Sequence, residues 1–262
     1  MSESISINLI GAGNVATLLG EAFSANGISV LAVCSRHSEK AAMLAAKINC
    51  SSTTEISKLS PEATFNFIAV SDQAISDIAT NINNTGIWVH TSGITPLAVL
   101  HPEQRKCGVF YPLQSITADS RPPCSEIPFL IEGSDPEVTD RLQALANKIG
   151  SPGRNMDSAD RKYAHLAAVF INNFSNHMAV IAAELLREKN IPVDLYHPLI
   201  RETARKLMVM DPLLAQTGPA RRNDLNTLEQ HKLLLKDHPH FLHIYEQISE
   251  SIRHFRPDEE TQ

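Results

Sequence analysis

Cysteine, aromatic residues and net positive charge are all scarce in this sequence. Its 262 residues include four cysteines without a CxxC pair or metal-ligand spacing, so we predict neither a disulfide framework nor a metal site. The formal net charge of -6 disfavours nucleic acid and anionic membranes as partners. No unbroken apolar run reaches the length of about 18 residues that crosses a membrane, and the first apolar run begins too early for a cleaved leader. We therefore expect a cytoplasmic protein.

A glycine turn between an apolar strand and an amphipathic helix is the most informative motif. Residues 5–16 read ISINLIGAGNVA, in which an apolar run leads into Gly11 and Gly13 and then continues at helical spacing. In a dinucleotide-binding fold the first glycine permits a tight turn, and the second lets a pyrophosphate approach the start of the helix. Ala16 replaces a third glycine where only a small side chain packs. The predicted cofactor-binding residues here are Gly11, Ala12, Gly13, Asn14 and Val15.

The end of the second predicted strand bears on which nucleotide is bound. Residues 28–35 form an apolar run typical of a parallel strand buried on both faces. An NAD-binding protein usually follows this strand with an acidic residue, whereas this chain has Ser35 and Arg36. A guanidinium and a hydroxyl suit a 2'-phosphate, which predicts NADP. The alternative is that Arg36 is a solvated charge before a helix capped by Ser38, with Glu39 in its first turn.

Strand-like and helical patterns alternate through the first half of the chain. This alternation predicts a doubly wound parallel sheet, in which ligands bind beyond the carboxyl ends of the strands. The segments that follow two of these strands are therefore candidates for the site. They are Val70, Ser71 and Asp72, which we expect beside the cofactor, and Ser92 and Gly93, which we expect beside the substrate. Capping of the next helix by Ser71 or Asp72 is a compatible alternative.

The second half of the chain is predicted to be helical. A proline-glycine break near residue 150 divides the sequence into a Rossmann domain, residues 1–154, and an all-helical domain, residues 155–262. Residues 158–189 contain neither proline nor glycine and predict one long helix, whose apolar stripe is core or a subunit interface. A separate polar face comprises Lys162, His165, Asn172, Asn173 and Asn176. Asparagines in an apolar helix need polar partners, which favours a ligand cleft between the domains over a solvated or interhelical surface.

Two adjacent arginines suggest that the substrate is anionic. Arg221 and Arg222 lie in a proline-glycine turn, directly before a helix that begins near Asp224. Guanidinium groups beside a cleft suit a carboxylate or a phosphate. Equally, Asp224 can be a simple N-cap and the arginines can be solvated.

Together these motifs resemble a family of Rossmann-like NADP oxidoreductases whose C-terminal half is a domain of unknown function. The matching stretches run in order through nearly the whole chain and are IGAGNVA, VCSR, AVSDQAI, VHTSG, GVFYPLQS, HLAAVFINNF and TGPARRND, followed by Thr227 and His231. The architecture is similar to that of pyrroline-5-carboxylate reductase, ketopantoate reductase and the beta-hydroxyacid dehydrogenases. The resemblance implies an α/β fold with an N-terminal Rossmann doubly wound parallel sheet. It also implies an all-helical C-terminal domain, similar to that of 6-phosphogluconate dehydrogenase, which often forms a homodimer.

One departure from these relatives affects the expected mechanism. The beta-hydroxyacid dehydrogenases have a lysine four residues before a cleft asparagine, and Ala168 and Val169 stand at those positions here. His165 is the remaining titratable group on that face, and the ordinary histidine pKa of about 6.5 suits proton transfer at neutral pH. Lys162 is a second candidate.

The sequence therefore predicts an NADP-dependent oxidoreductase that acts on a small, anionic carbonyl, imine or alcohol between the two domains. The alternatives are a non-catalytic NADP sensor and an enzyme that exchanges hydride with a deazaflavin. The predicted catalytic residues are His165 as proton donor or acceptor, with Asn172 and Ser92 positioning the substrate. The predicted substrate-binding residues are Gly93, Gln114, Asn176, Thr217, Arg221 and Arg222.

Overall fold

The computed structural model describes residues 5–81, 85–103 and 105–255. The chain divides into two compact units, of which the first ends at Phe174 and the second begins at Ser175. The predicted domain boundary after residue 154 falls earlier, in the last strand of the sheet, and stays a prediction. The division at Phe174 keeps the first turns of the long helix with the sheet.

An eight-stranded sheet organises the first unit. Its strands are β1 (Ser6–Ile10), β2 (Ser29–Cys34), β3 (Ser51–Thr53), β4 (Phe65–Ile68), β5 (Ile87–His90), β6 (Cys107–Pro112), β7 (Phe129–Gly133) and β8 (Gly153–Asn155). The spatial order is β3-β2-β1-β4-β5-β6-β7-β8, and all neighbours are parallel except β6 and β7. The doubly wound sheet is thereby confirmed. An irregular connection, rather than a crossover helix, joins β6 to β7 and allows the reversal of direction.

Helices cover both faces of this sheet. They are α1 (Asn14–Ala25), α2 (Ser38–Ile48), α3 (Asp72–Ala79), α4 (Pro136–Lys148) and α5 (Ser158–Ala168). Burial on both faces explains why the parallel strands are continuous apolar runs rather than alternating ones. Phe67 of β4 contacts the rings of Phe23 and Phe110, with ring centroids 5.2 and 5.6 Å apart. These contacts join α1 to the middle of the sheet.

A pair of asparagines lies inside the sheet. Asn8 of β1 and Asn66 of β4 are opposite each other in the ladder and are fully buried. The side-chain nitrogen of Asn8, Nδ2, donates to the Asn66 side-chain oxygen at 2.8 Å and to the Ser60 carbonyl at 2.8 Å. The hydrogen bonds offset the cost of burying these amides, which is large when they have no partner.

The second unit is helical, as predicted. Its helices are α6 (Ser175–Glu188), α7 (His197–Val209), α8 (Pro212–Ala215), α9 (Pro219–Arg222), α10 (Leu225–Leu234) and α11 (Pro239–His254). Asp224 caps α10, because its carboxylate accepts a hydrogen bond from the Thr227 amide at 3.1 Å. This confirms the N-cap interpretation of Asp224.

A π-helical segment, Val169–Phe174, interrupts the long predicted helix. Such a segment adds a residue to the turn, so the regular spacing that grouped Asn172 and Asn173 with His165 does not extend across it. Phe170 and Ile171 are exposed, so this part of the apolar stripe is not buried core, and a subunit interface stays a prediction. Within the described ranges, Ser158–Glu188 is the one helix long and apolar enough to cross a membrane; a single such helix is weak evidence of a span.

The four cysteines are free thiols in the first unit. Cys34, Cys107 and Cys124 are buried and Cys50 is half-buried. Burial raises the pKa of each thiol, that of Cys107 to about 12. The thiols are therefore protonated at neutral pH and pack as small apolar side chains.

His90, the last residue of β5, makes the stability of the fold depend on pH. Burial and, secondly, the positive charge of Arg161 lower the pKa of His90 to about 3. Between pH 3 and the unfolded histidine pKa of about 6.5, the unfolded chain binds a proton that the folded chain does not. Stability should therefore fall as the pH falls through this window, by up to about 1.4 kcal/mol per pH unit. Urea unfolding at pH 7.5 and 4.5 measures this dependence.

His90→Asn should reduce that pH dependence, because the asparagine oxygen can replace Nδ1 as acceptor without titrating. The exposed His37 provides a matched control, since His37→Asn should keep the wild-type dependence. An unchanged loss of stability in His90→Asn would show that other groups cause it.

Candidate functional site

A cavity of about 700 Å³ lies in the first unit, beyond the carboxyl ends of the parallel strands. The switch in strand order between β1 and β4 opens a crevice at this edge, as is general for open α/β sheets. All ten predicted cofactor-binding residues line it. They are Gly11, Ala12, Gly13, Asn14, Val15, Ser35, Arg36, Val70, Ser71 and Asp72.

The turn after β1 has the geometry that a pyrophosphate requires. Gly11 has φ +120°, and a Cβ built on it would lie 2.0 Å from the Ala69 carbonyl oxygen, so a side chain is excluded. A Cβ on Gly13 would meet no atom within 4 Å, which leaves the space before α1 open. Among the residues that the structure describes, no side chain caps the first amides of α1. These amides can therefore donate to a phosphate.

Three basic side chains line the cavity where α2 begins. Arg36 and His37 precede the helix, and Lys40 lies in its first turn. The Ser35 hydroxyl accepts a hydrogen bond from the His37 amide at 3.3 Å, which orders this segment. The N-cap of α2 is His37 and not Ser38, which corrects the capping alternative of the sequence analysis, while Glu39 is in the first turn as expected. Arginine and lysine together suit a dianionic 2'-phosphate.

His165 and Tyr111 form a hydrogen-bonded pair in the wall of the same cavity. The Tyr111 hydroxyl is 3.0 Å from His165 Nδ1, and their ring centroids are 5.8 Å apart. Gly93 makes the pair possible, because a Cβ there would lie 2.7 Å from His165 Nδ1 and 2.8 Å from the Tyr111 ring. His165, Gly93 and Ser92, all predicted from the sequence, are thus brought together.

The Tyr111–His165 pair can hold and transfer a proton. Burial raises the pKa of the Tyr111 phenol, and the Asp72 carboxylate adds to the increase. The phenol is therefore protonated at neutral pH and can donate to His165 Nδ1. Because Nδ1 is engaged in this way, Nε2 is the ring nitrogen left to serve a substrate.

Ser92 has a second role in shaping the loop after β5. Its hydroxyl oxygen accepts hydrogen bonds from the amides of Ile94 and Thr95 at 3.2 and 3.0 Å. Its own amide donates to His90 Nδ1 at 3.2 Å. The hydroxyl proton is still available to a ligand, so the predicted contact with the substrate stays a prediction.

Several other predicted residues do not line this cavity. Asn172 and Gln114 are exposed members of the first unit, and so is Lys162, the second candidate proton donor. The geometry therefore favours His165 over Lys162. Asn176, Thr217, Arg221 and Arg222 belong to the second unit, and their proposed contact with the substrate stays a prediction.

Within the second unit, Arg221 lines a cavity of about 280 Å³. One of its guanidinium nitrogens, Nη1, is buried and has no hydrogen-bond partner in the described part of the chain. Arg222 is exposed. His231 Nδ1 pairs with the Tyr245 hydroxyl of α11 at 2.9 Å.

Sequence reasoning missed Tyr111 and Lys40. Tyr111 lies within the GVFYPLQS stretch, but nothing in the sequence shows that it meets a residue 54 positions away. Lys40 lies in the first turn of the helix that Arg36 precedes, and this closeness along the chain could have indicated a shared basic surface.

Comparisons with known families agree with this site. Residues 6–92 match a family model described as NADP oxidoreductase, coenzyme F420-dependent, and residues 127–252 match a domain of unknown function, DUF2520. No curated protein matches the sequence.

Solved structures extend the comparison over nearly the whole chain. BF3122 of Bacteroides fragilis, provisionally named an NADP oxidoreductase, is 39% identical with a TM-score of 0.87, covering 96% of this chain and 98% of that one. A reductive aminase from Aspergillus terreus, in complex with NADPH, is 14% identical (TM-score 0.76; 96% and 93% covered). A pyrroline-5-carboxylate reductase from Streptococcus pyogenes is 12% identical (TM-score 0.66; 95% and 98% covered). At these low identities the last two show a shared fold.

Substitutions of Gly11 and Gly13 should separate folding from nucleotide binding. Gly13→Ala should lower the free energy of unfolding by no more than about 1 kcal/mol, because its Cβ meets no protein atom and only the preference for glycine at the N-cap of α1 is lost. It should still weaken NADPH binding at least about tenfold by occupying the space of a phosphate. Gly11→Ala should lower stability as well, because of its clash with Ala69. Calorimetric titration and thermal melting measure the two effects, and wild-type affinity in Gly13→Ala would refute this placement of the phosphate.

Proposed function

The chain belongs to the family of NADP oxidoreductases whose C-terminal half is the DUF2520 domain, and we propose that it reduces a small carbonyl or imine substrate beside Tyr111 and His165. The observation that carries the proposal is that a proton-bearing tyrosine–histidine pair lines the same cavity as the dinucleotide turn. A reductase needs both a hydride and a proton at one place.

NADP is the cofactor, and the residues present fit it. The turn at Gly11 and Gly13 with the first amides of α1 would hold the pyrophosphate, and Arg36, His37 and Lys40 would hold the 2'-phosphate. When bound, NADPH supplies the hydride. The protein contributes orientation and an environment that excludes competing reactions.

We propose that His165 protonates the substrate oxygen or nitrogen. Tyr111 holds Nδ1 and so fixes the plane of the imidazole, with Nε2 directed at the substrate. The backbone of Gly93 closes the wall beside both rings without displacing them. Several structurally similar proteins are named for reactions at C=N bonds, and for this reason we test imines first among the substrates. An anionic group on the substrate, suggested by Arg221 and Arg222, stays part of the proposal.

A second candidate is hydride exchange between NADP and a deazaflavin. The match of residues 6–92 to a model described as coenzyme F420-dependent favours it. That match covers the nucleotide-binding half alone. Coenzyme F420 is therefore one of the co-substrates to test, but not the first.

We also propose a homodimer, formed through the helical domain. α7 contains no buried residue, and Leu199 and Met208 on it are 67% and 86% exposed. Apolar surface of this kind usually marks an interface.

The cytoplasmic location inferred from the composition stays a prediction.

Replacement of His165 should reduce turnover without loss of cofactor. With the best substrate from a panel of cyclic imines, keto acids, aldehydes and coenzyme F420, followed at 340 nm, His165→Gln should lower kcat by about 10²- to 10⁴-fold. Tyr111→Phe should lower it less, because the imidazole remains. The NADPH affinity of both variants should match wild type.

Lys162→Gln is the matched control for that experiment, since it removes an exposed titratable group from the same helix. Its kcat should equal that of wild type. Loss of turnover in Lys162→Gln, with activity kept in His165→Gln, would transfer the proton-donor role to the lysine.

The basic cluster at α2 should determine cofactor preference. Arg36→Ala and Lys40→Ala should each weaken NADPH binding by about ten- to a hundredfold, since each removes a charge-assisted hydrogen bond of about 1.5–3 kcal/mol. NADH binding should change little. Lys106→Ala removes an equal charge that pairs with Glu137, outside the cavity, and should keep the preference of wild type. Equal losses of affinity for NADPH and NADH would show that the cluster does not bind the 2'-phosphate.

A further inference from the structure

Arg161 is fully buried, although it is not among the residues that line the cofactor cavity. It lies in the first turns of α5, one helical turn before His165. Among the residues that the structure describes, it is the only lysine or arginine classed as buried. A buried charge needs both an opposite charge and hydrogen-bond acceptors. The partners of Arg161 therefore show which segments of the fold it connects.

The two terminal nitrogens of Arg161 contact three segments of the chain. Nη1 forms an ion pair with the Glu132 carboxylate of β7. Nη2 donates to the Thr95 carbonyl at 2.7 Å and to the Ser158 hydroxyl at 3.1 Å. The guanidinium therefore joins the sheet, the loop after β5 and the start of α5.

Ser158 completes this connection. Its hydroxyl donates to Glu132 at 2.7 Å and accepts from the Leu97 amide at 2.9 Å. Thr95 is held in turn by the Ser92 hydroxyl, and Ser92 by His90. An uninterrupted series of hydrogen bonds thus runs from the end of β5, through the loop that contains Gly93, to the helix that carries His165.

We propose that Arg161, held by Glu132, is a positioning residue that sets His165 against Tyr111 and Gly93. The inference rests on the proposed role of His165 as proton donor. The Gly93 backbone leaves no space beside the two rings, so a small rotation of α5 or shift of the loop would separate Nδ1 from the Tyr111 hydroxyl. The planar guanidinium fork suits this task, because a lysine presents one nitrogen and cannot reach Glu132 and Thr95 in the same geometry.

Arg161→Lys and Glu132→Gln test this inference, with Lys106→Met as the control that breaks an exposed ion pair of the same unit. The readout that does not depend on turnover is the long-range ¹H–¹⁵N spectrum of His165, whose Nδ1 shift reports the hydrogen bond to Tyr111. We expect this shift to move in both variants towards its position in Tyr111→Phe, and to stay unchanged in Lys106→Met.

Kinetics provide the second readout. We expect kcat to fall at least tenfold in Arg161→Lys, while the KM for NADPH and its binding constant stay within twofold of wild type. Glu132→Gln keeps the shape of the acceptor, so it remains informative if the arginine variant does not fold. A folded variant with the wild-type His165 spectrum would overturn the inference, as would a loss of NADPH binding in proportion to the loss of kcat. If the wild-type protein turns over no substrate, the proposed function fails while the spectrum still decides the role of Arg161.

Discussion

The close approach of two backbones at Gly11 is the constraint on which the site depends. The Gly11 amide donates to the Cys34 carbonyl of β2 at 2.7 Å, and the Ala69 amide donates to the Ile10 carbonyl of β1 at 2.7 Å. The turn is thereby fastened to both neighbouring strands at the point where strand order switches. Gly11 has no side chain, so its backbone can approach that of Ala69 closely. This approach lets α1 begin directly over the crevice, with its free amides facing the carboxyl edge of the sheet.

Sequence patterns are most informative for those parts of the candidate site that are contiguous along the chain. All ten predicted cofactor-binding residues lie in three short segments, each following a strand, and the alternation of strands and helices brings these segments to one cavity. Tyr111 and His165 are a different case. Their pairing depends on how β6 and α5 pack, and neither residue has a local pattern that reveals its partner. The π-helical segment also could not be foreseen, because VFINNF fits an ordinary α-helix equally well.

The ion pair of the buried Arg161 with the partly buried Glu132 shows the limit of hydropathy patterns most clearly. A pattern places charged residues at the surface, and Arg161 would be read as solvated at the start of an amphipathic helix. Its burial depends on the antiparallel direction of β7, which brings Glu132 opposite Val109 and within reach of α5. Removing one member of a buried pair typically destabilises a protein by about 3–5 kcal/mol, since the other charge stays desolvated. The fully buried guanidinium is therefore held firmly by its partner, which suits a place where precise geometry is required.

The amides of Asn8 and Asn66 have a consequence for how the sheet assembles. Strands that are apolar on both faces have no alternation to distinguish one alignment from the next, so sliding by a residue or two would bury nearly the same hydrocarbon. Only one alignment lets these two amides meet, and any other leaves them dehydrated and unbonded in the interior. The pair therefore fixes the register between β1 and β4. Gly11 and Ala69 lie just beyond these two strands. Correct pairing of β1 with β4 therefore determines whether the nucleotide pocket forms at the carboxyl edge of the sheet.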